Sequence, residues 1–148
     1  MTTPRYGLAA ATLHGTVFAL GGFNGNNGTM ASVEAFDLAA GAHWTLLAAS
    51  MTTPRYGHAA AVLRGLIYAA GGKDNNGNLL ASVERFDGGA HSAWATVPAS
   101  MTAGRYQFAL VALEEGGAGV PHGGLLVAAG GPGGSQSAEA FGPAAGPN

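Results

Sequence analysis

The heptapeptide MTTPRYG stands at Met1 to Gly7 and again at Met51 to Gly57, and a degraded copy, MTAGRYQ, begins at Met101. Laid over each other without a gap, residues 1–50 and 51–100 are identical at roughly half of their positions, far above chance even for a chain rich in Ala and Gly. A period of about 50 residues constrains the fold more than any other feature. It implies a solenoid, propeller or array built from one supersecondary unit, in which each unit packs on its neighbours. The number of units, rather than the length of 148 residues, then decides whether the fold is complete.

The second copy shows the unit most clearly. Gly57 to Leu63 is a small, apolar run closed by a turn at Arg64-Gly65, and Leu66 to Ala70 is a second run that ends on Gly71-Gly72. A polar loop, Lys73 to Asn78, leads into Ala81 to Asp87, and a further Gly-rich turn leads into Ala93 to Val97. Each run is too short for an ordinary helix, and β-branched and aromatic residues recur where a pleated surface uses them. Four strands, a to d, are therefore predicted per unit, with turn chemistry between them. Four sequential antiparallel strands in about 50 residues make a propeller blade with strand a innermost. The taper of a blade explains the alanines of strands a and b (Ala9 to Ala11, Ala59 to Ala61, Ala69, Ala70). Trp44 and Trp94 on strand d fill the wide outer edge. The doubled glycines Gly21-Gly22, Gly71-Gly72 and Gly130-Gly131 close strand b at a point where a positive φ or a close chain approach excludes a Cβ.

The order R-Y-x-H-A-A, I-Y-A-A-G-G, S-V-E-R-F-D and then W resembles the kelch repeat, over nearly the whole chain from Arg5 to Phe141. The resemblance implies an all-β, kelch-type β-propeller of about three blades. The array spans 1–148, with units at about 5–54, 55–104 and 105–141 and a Gly/Pro tail at 142–148. The third copy departs from the pattern. It carries an insert between Leu113 and Leu125, has Gly142 in the place of Asp37 and Asp87, and lacks strand d and its tryptophan. Three units cannot close a ring that needs at least four blades. Two copies joined head to tail about a two-fold axis make a homodimeric ring of six blades; an open array, or a piece of a longer protein, is the other reading. An open array exposes the edge near Ser135 to Phe141, which the Gly/Pro tail is placed to blunt.

Composition excludes several classes. Charged residues make up 9% of the chain, the net charge is −2 and no run of either sign occurs, so no nucleic-acid footprint exists. With no cysteine the chain has no disulfide and no thiolate site, which removes the cysteine-dependent copper oxidases that share kelch-like propellers. The apolar opening Leu8 to Leu20 returns in mid-chain as Ala59 to Ala70, so it is read as strand rather than leader, and no run approaches the ~18 residues of a membrane span. No cofactor or metal is expected. Asp74-x-Asn76-x-Asn78 imitates a calcium loop but has Leu79 where glycine is required, the five histidines show no ligand spacing, and Gly130 to Gly134 opens no helix.

Two sets of residues remain as binding candidates. Arg5, Arg55 and Arg105 share one repeat position, and Glu34, Glu84 and Glu139 share another, a placement that predicts buried or inter-blade pairing. The competing reading is a ring of arginines that receives an acidic peptide. Asn24, Asn26, Asp74 and Asn76 belong to the b–c loops, which share a rim with Thr2, Thr3, Thr52 and Thr53 of the d–a loops; their residue types suit hydrogen bonding to a ligand and plain turns equally. His43, His91 and the insert Glu114 to Gly124 belong to the opposite rim. The resemblance implies a non-enzymatic module that binds a protein or peptide on the b–c and d–a rim. The alternatives are an enzyme of the kelch sugar-epimerase type and a purely self-assembling structural array.

Overall fold

The computed structural model describes residues 1–89, 91–98, 100–116, 119–131 and 137–142. The tail 143–148, the stretch 132–136 that includes most of the Gly-rich run, and part of the insert lie outside the described residues.

The first blade consists of β1 (Ala9–Leu13), β2 (Thr16–Leu20), β5 (Val33–Asp37) and β6 (His43–Leu46), hydrogen-bonded in that order. Between its second and third strands the b–c loop folds into a small hairpin, β3 (Phe23–Asn24) with β4 (Gly28–Thr29), where the sequence predicts only a polar loop. The second blade comprises β7 (Ala59–Leu63), β8 (Leu66–Ala70), β9 (Val83–Phe86) and β10 (Ala95–Thr96). Its outermost strand is two residues long, shorter than the predicted run from Ala93 to Val97. Among the described residues the third blade has three strands, β11 (Ala109–Leu113), β12 (Leu125–Ala129) and β13 (Ala138–Phe141). Every pairing among the described residues is antiparallel, and equivalent strands keep one register: Ala9 opposes Leu20, Ala59 opposes Ala70 and Ala109 opposes Ala129.

The a–b turns explain this register. His14-Gly15 and Arg64-Gly65 both have positive φ at their two central positions, as a two-residue hairpin that matches the strand twist requires. The blades meet through their inner strands, β1 beside β7 and β7 beside β11.

Side chains alternate along a strand, so each blade sends one face to the blade before it and one to the blade after it. Ile67, Ala69 and Phe86 of the second blade pack with Leu13, Phe18, Leu20 and Val33 of the first. Leu63, Tyr68, Ala70 and Val83 pack with Leu126 and Ala128 of the third. There is thus one core per junction rather than one for the chain. Trp94 is buried at the outer end of the first core and stacks on Phe86, with ring centroids 5.2 Å apart and planes at 11°. Trp44 leans on Phe36 at 5.3 Å and is only half-buried.

Candidate functional site

The rim of the b–c and d–a loops is built on a clamp repeated three times. The Arg5 guanidinium donates through Nη1 to the carbonyls of Gly21 and Ser32 and through Nη2 to Glu34 Oε1, at 2.9, 3.0 and 2.7 Å. Arg55 makes the same bonds to Gly71, Ser82 and Glu84, and Arg105 to Gly130, Ser137 and, through Nε, Glu139. Each glutamate also accepts the N–H of the threonine at the start of its own unit, Thr2, Thr52 or Thr102. Each pair therefore lies within one blade and ties the incoming d–a loop to strands b and c. The side chains of Arg5 and Glu34 have no exposed surface, and those of Arg55 and Glu84 have at most 1%.

Burial pushes the Glu84 carboxyl up, but the hydroxyl and N–H of Thr52 together with Arg55 more than offset it and hold the group below the usual carboxylate range. Glu34 and Glu139 are held low by the same balance. All three glutamates are thus anionic partners of charge-assisted hydrogen bonds. With the guanidinium groups turned inward, Arg5 and Arg55 present no charge to a ligand on the rim.

The clamp also places the arginine backbone. Gly22 N–H donates to the carbonyl of Arg55 at 2.9 Å, and Gly72 N–H to that of Arg105 at 2.7 Å, so each d–a loop joins the preceding blade as well as its own. Nearer the axis, Gly57 N–H donates to Gly7 and Gln107 N–H to Gly57, each at 2.7 Å.

The residue after each arginine faces the rim. Tyr6 contacts Phe23 with centroids 5.4 Å apart, Phe23 contacts Tyr56 at 5.6 Å, and Tyr56 contacts Tyr106 edge to face at 5.5 Å. Lys73 Nζ lies 4.5 Å from the Tyr106 ring centre, a cation–π contact that ends the row. Tyr6 is 63% exposed, and Tyr56 and Tyr106 are half-buried. Sequence reasoning missed this row as a site, although its signal, a tyrosine at one repeat position in all three units, was in view.

Asn24 Nδ2 donates to the Pro4 carbonyl, and Asn24 Oδ1 accepts the N–H of Asn26. Asp74 accepts the N–H groups of Asn76 and Asn78 and the side-chain amide of Asn78, a closed local turn that pulls its carboxyl below the ordinary value. Asn75 Oδ1 reaches across to the N–H of Thr29 and links the two b–c loops. Asn26 and Asn76 remain exposed at the loop tips. The structure thus brings Arg5, Asn24 and Asn26 together around a shallow recess of about 330 Å³, with Tyr6 and Phe23 in its wall. Arg105 lies away from it, beside Gly104 and Gly131 in another small recess. A more enclosed cleft of about 210 Å³ opens at the opposite rim, between Phe18, Asp37 and His43 of the first blade and Gly88 and Gly89 of the second.

Antiparallel blades joined through alanine-rich inner strands, each clamped by an Arg–Glu pair, define the class of the fold. The Kelch motif matches residues 4–49 and 54–87, more than half of the chain, and the protein belongs to the kelch-repeat family. A search among curated proteins found no match. Kelch motifs serve in general as protein-interaction modules rather than enzymes.

Proposed function

We propose that the chain is a non-enzymatic binding module that takes a peptide or protein segment across the rim of the b–c and d–a loops. The observation that carries this reading is the continuous row Tyr6, Phe23, Tyr56 and Tyr106 along that rim, open at Tyr6. Aromatic side chains give large contact area for little lost conformational freedom, which is why they concentrate at interface hot spots. The exposed amides of Asn26 and Asn76 flank the row and supply hydrogen-bonding groups for a peptide backbone, with Asn24 and Asp74 fixing the loops that carry them. Arg5, Arg55 and Arg105 serve as the anchors of that rim. The sugar-epimerase reading needs charged side chains that converge on the channel mouth, and the three Arg–Glu pairs turn theirs inward.

The test is selection of short peptides from a display library on the purified chain, followed by titration of the enriched peptides. Tyr6→Ala is expected to weaken binding by about tenfold or more, the scale of a hot-spot aromatic. Leu46→Asp, on the outer strand, is expected to leave it unchanged. Peptides that bind Tyr6→Ala as well as the parent overturn the reading.

A further inference from the structure

The strands of the middle blade define what each face of a unit needs. In β7, Ala60 and Val62 pack toward the first blade, and Ala61 and Leu63 toward the third. The same positions at the two ends of the array are uncovered. Leu13 and Leu63 are 6% and 0% exposed, whereas Leu113 is 42% exposed and Val111 beside it on the same face is 55% exposed. Met51 and Met101 are each 3% exposed, whereas Met1 is 47% exposed. The third blade thus leaves the apolar side chains of Val111 and Leu113 exposed, and the first leaves Met1 of the leading heptapeptide exposed.

The seat for that heptapeptide is seen twice within the chain. Met51 N–H donates to Ala31, Arg55 N–H to Met30, and the Arg55 carbonyl accepts Gly22 N–H, so residues 51–57 lie along the trailing side of the first blade. Residues 1–7 have the identical sequence, MTTPRYG, and the clamp between Arg5 and Glu34 holds them in the same way. On the third blade, Gly130 and Gly131 occupy the place of Gly21 and Gly22. A Cβ built on Gly21 would meet the Arg55 carbonyl at 2.5 Å, whereas one on Gly130 meets nothing described within 4 Å. In β1 the positions that face away from the second blade, Ala10 and Thr12, are small and exposed, which leaves room for Val111 and Leu113.

We propose that a second copy of this chain seats its Met1 to Gly7 on the trailing face of the third blade, against Val111, Leu113 and Gly130-Gly131. The contact is heterologous, and a two-fold axis closes it into a ring of six blades with two identical junctions. Tyr6 of the second copy then continues the row of rings beyond Tyr106. The inference does not depend on the peptide-binding reading, because it concerns the blade faces and not the rim.

Sedimentation velocity and native mass spectrometry of the full chain at micromolar concentration test it. A species of twice 14.6 kDa is expected, dissociating on dilution. Leu113→Asp and, independently, Val111→Lys are each expected to yield monomer with an unchanged far-ultraviolet spectrum. Leu46→Asp, an equally polar change at a residue 54% exposed on the outer strand, is expected to leave the dimer intact. Three results overturn the proposal: a parent chain that stays monomeric, which leaves the face to a further unit or another partner; a dimer that survives both substitutions on β11; or one that Leu46→Asp abolishes equally.

Discussion

Gly71-Gly72 and Gly130-Gly131 close the same strand in successive blades, and they meet different surroundings. A Cβ on Gly71 would lie 2.7 Å from the Arg105 carbonyl and 2.8 Å from the Phe108 ring, because the third unit's d–a loop presses directly on it; one on Gly130 meets none of the described residues within 4 Å. The first glycine of the pair is therefore a socket for the next unit, whereas the second is required by its own: a Cβ on Gly22 or Gly72 would lie 2.9 or 2.8 Å from the carbonyl of Tyr6 or Tyr56. The Arg–Glu clamps show the same gradient. The second is sealed between two blades, while in the third Arg105 and Glu139 side chains are 7% and 14% exposed. Each unit carries its own clamp, but the close packing around it is completed by the successor.

The sharpest probe of that contrast is the clamp. Arg55→Ala leaves Glu84 buried without its cation, and a loss of about 4 kcal/mol of stability is expected, the scale seen when one partner of a buried pair is removed. Arg105→Ala, where water reaches both partners, is expected to cost about half as much, or about 2 kcal/mol. Chemical denaturation of the two variants compares them directly, and equal losses would show that the junction adds nothing to the clamp. The glycine sockets follow. Gly71→Ala combines a positive φ of 65° with a backbone collision and is expected to cost about 3 kcal/mol. Gly130→Ala, at φ 84° with none of the described residues within 4 Å of the added Cβ, is expected to cost about 1 kcal/mol, the conformational penalty alone.

Acid should separate the junctions next. His58 is buried between the first two blades with neither ring nitrogen hydrogen-bonded, and burial, reinforced by the Arg55 charge, pushes its pKa down from 6.5 to about 3. The unfolded chain therefore takes up a proton below pH 6.5 that the folded chain refuses. Stability present above that pH is lost progressively toward pH 3, by about 1.4 kcal/mol per pH unit, or about 2 kcal/mol at pH 5. The low-lying carboxylates Glu34 and Glu84 add their own loss only below their ordinary range near pH 4.5. Phe108 holds the equivalent place in the third unit, so His58→Phe is expected to flatten the profile between pH 6.5 and 5. Unfolding curves across that interval decide it, and an unchanged slope assigns the acid sensitivity elsewhere.

Much of this architecture was legible in the residues because each unit states it again. Strand b was read as Leu66 to Ala70 and is found there; the tryptophans lie at the outer edge; Arg64-Gly65 makes the expected turn. What escaped depends on particular side-chain contacts, which periodicity does not encode. The β3–β4 hairpin forms where Phe23 pairs with Thr29 beneath Tyr6, and the short β10 leaves Trp94 to pack from outside any strand. The pairing of each arginine with a glutamate was visible from their shared spacing, but whether it bridged blades or stayed within one was not. Regular spacing is equally compatible with both. The aromatic row escaped for another reason: Phe23 and Lys73 share one repeat position, so a row that runs from Tyr6 through Phe23 to Lys73 does not repeat as a motif.

The smallest effect is expected at Gln107, where the comparison reduces to a single side chain. Gly7, Gly57 and Gln107 occupy one repeat position with φ of 61°, 61° and 52°. At Gly57 the glycine is obligatory, since a Cβ would fall 2.1 Å from the Tyr106 ring of the next unit. Gln107 adopts the left-handed conformation at a steric cost of about 1 kcal/mol. Gln107→Gly removes that strain but gives the unfolded chain more freedom, and the two terms oppose each other. A net gain of about 0.5 kcal/mol is expected, read as a higher denaturation midpoint at unchanged slope. The reverse exchange, Gly57→Gln, must displace the Tyr106 ring and is expected to cost at least about 3 kcal/mol. If Gln107→Gly instead destabilises the chain, the glutamine side chain has a contact of its own, and the third unit has departed from glycine to gain it.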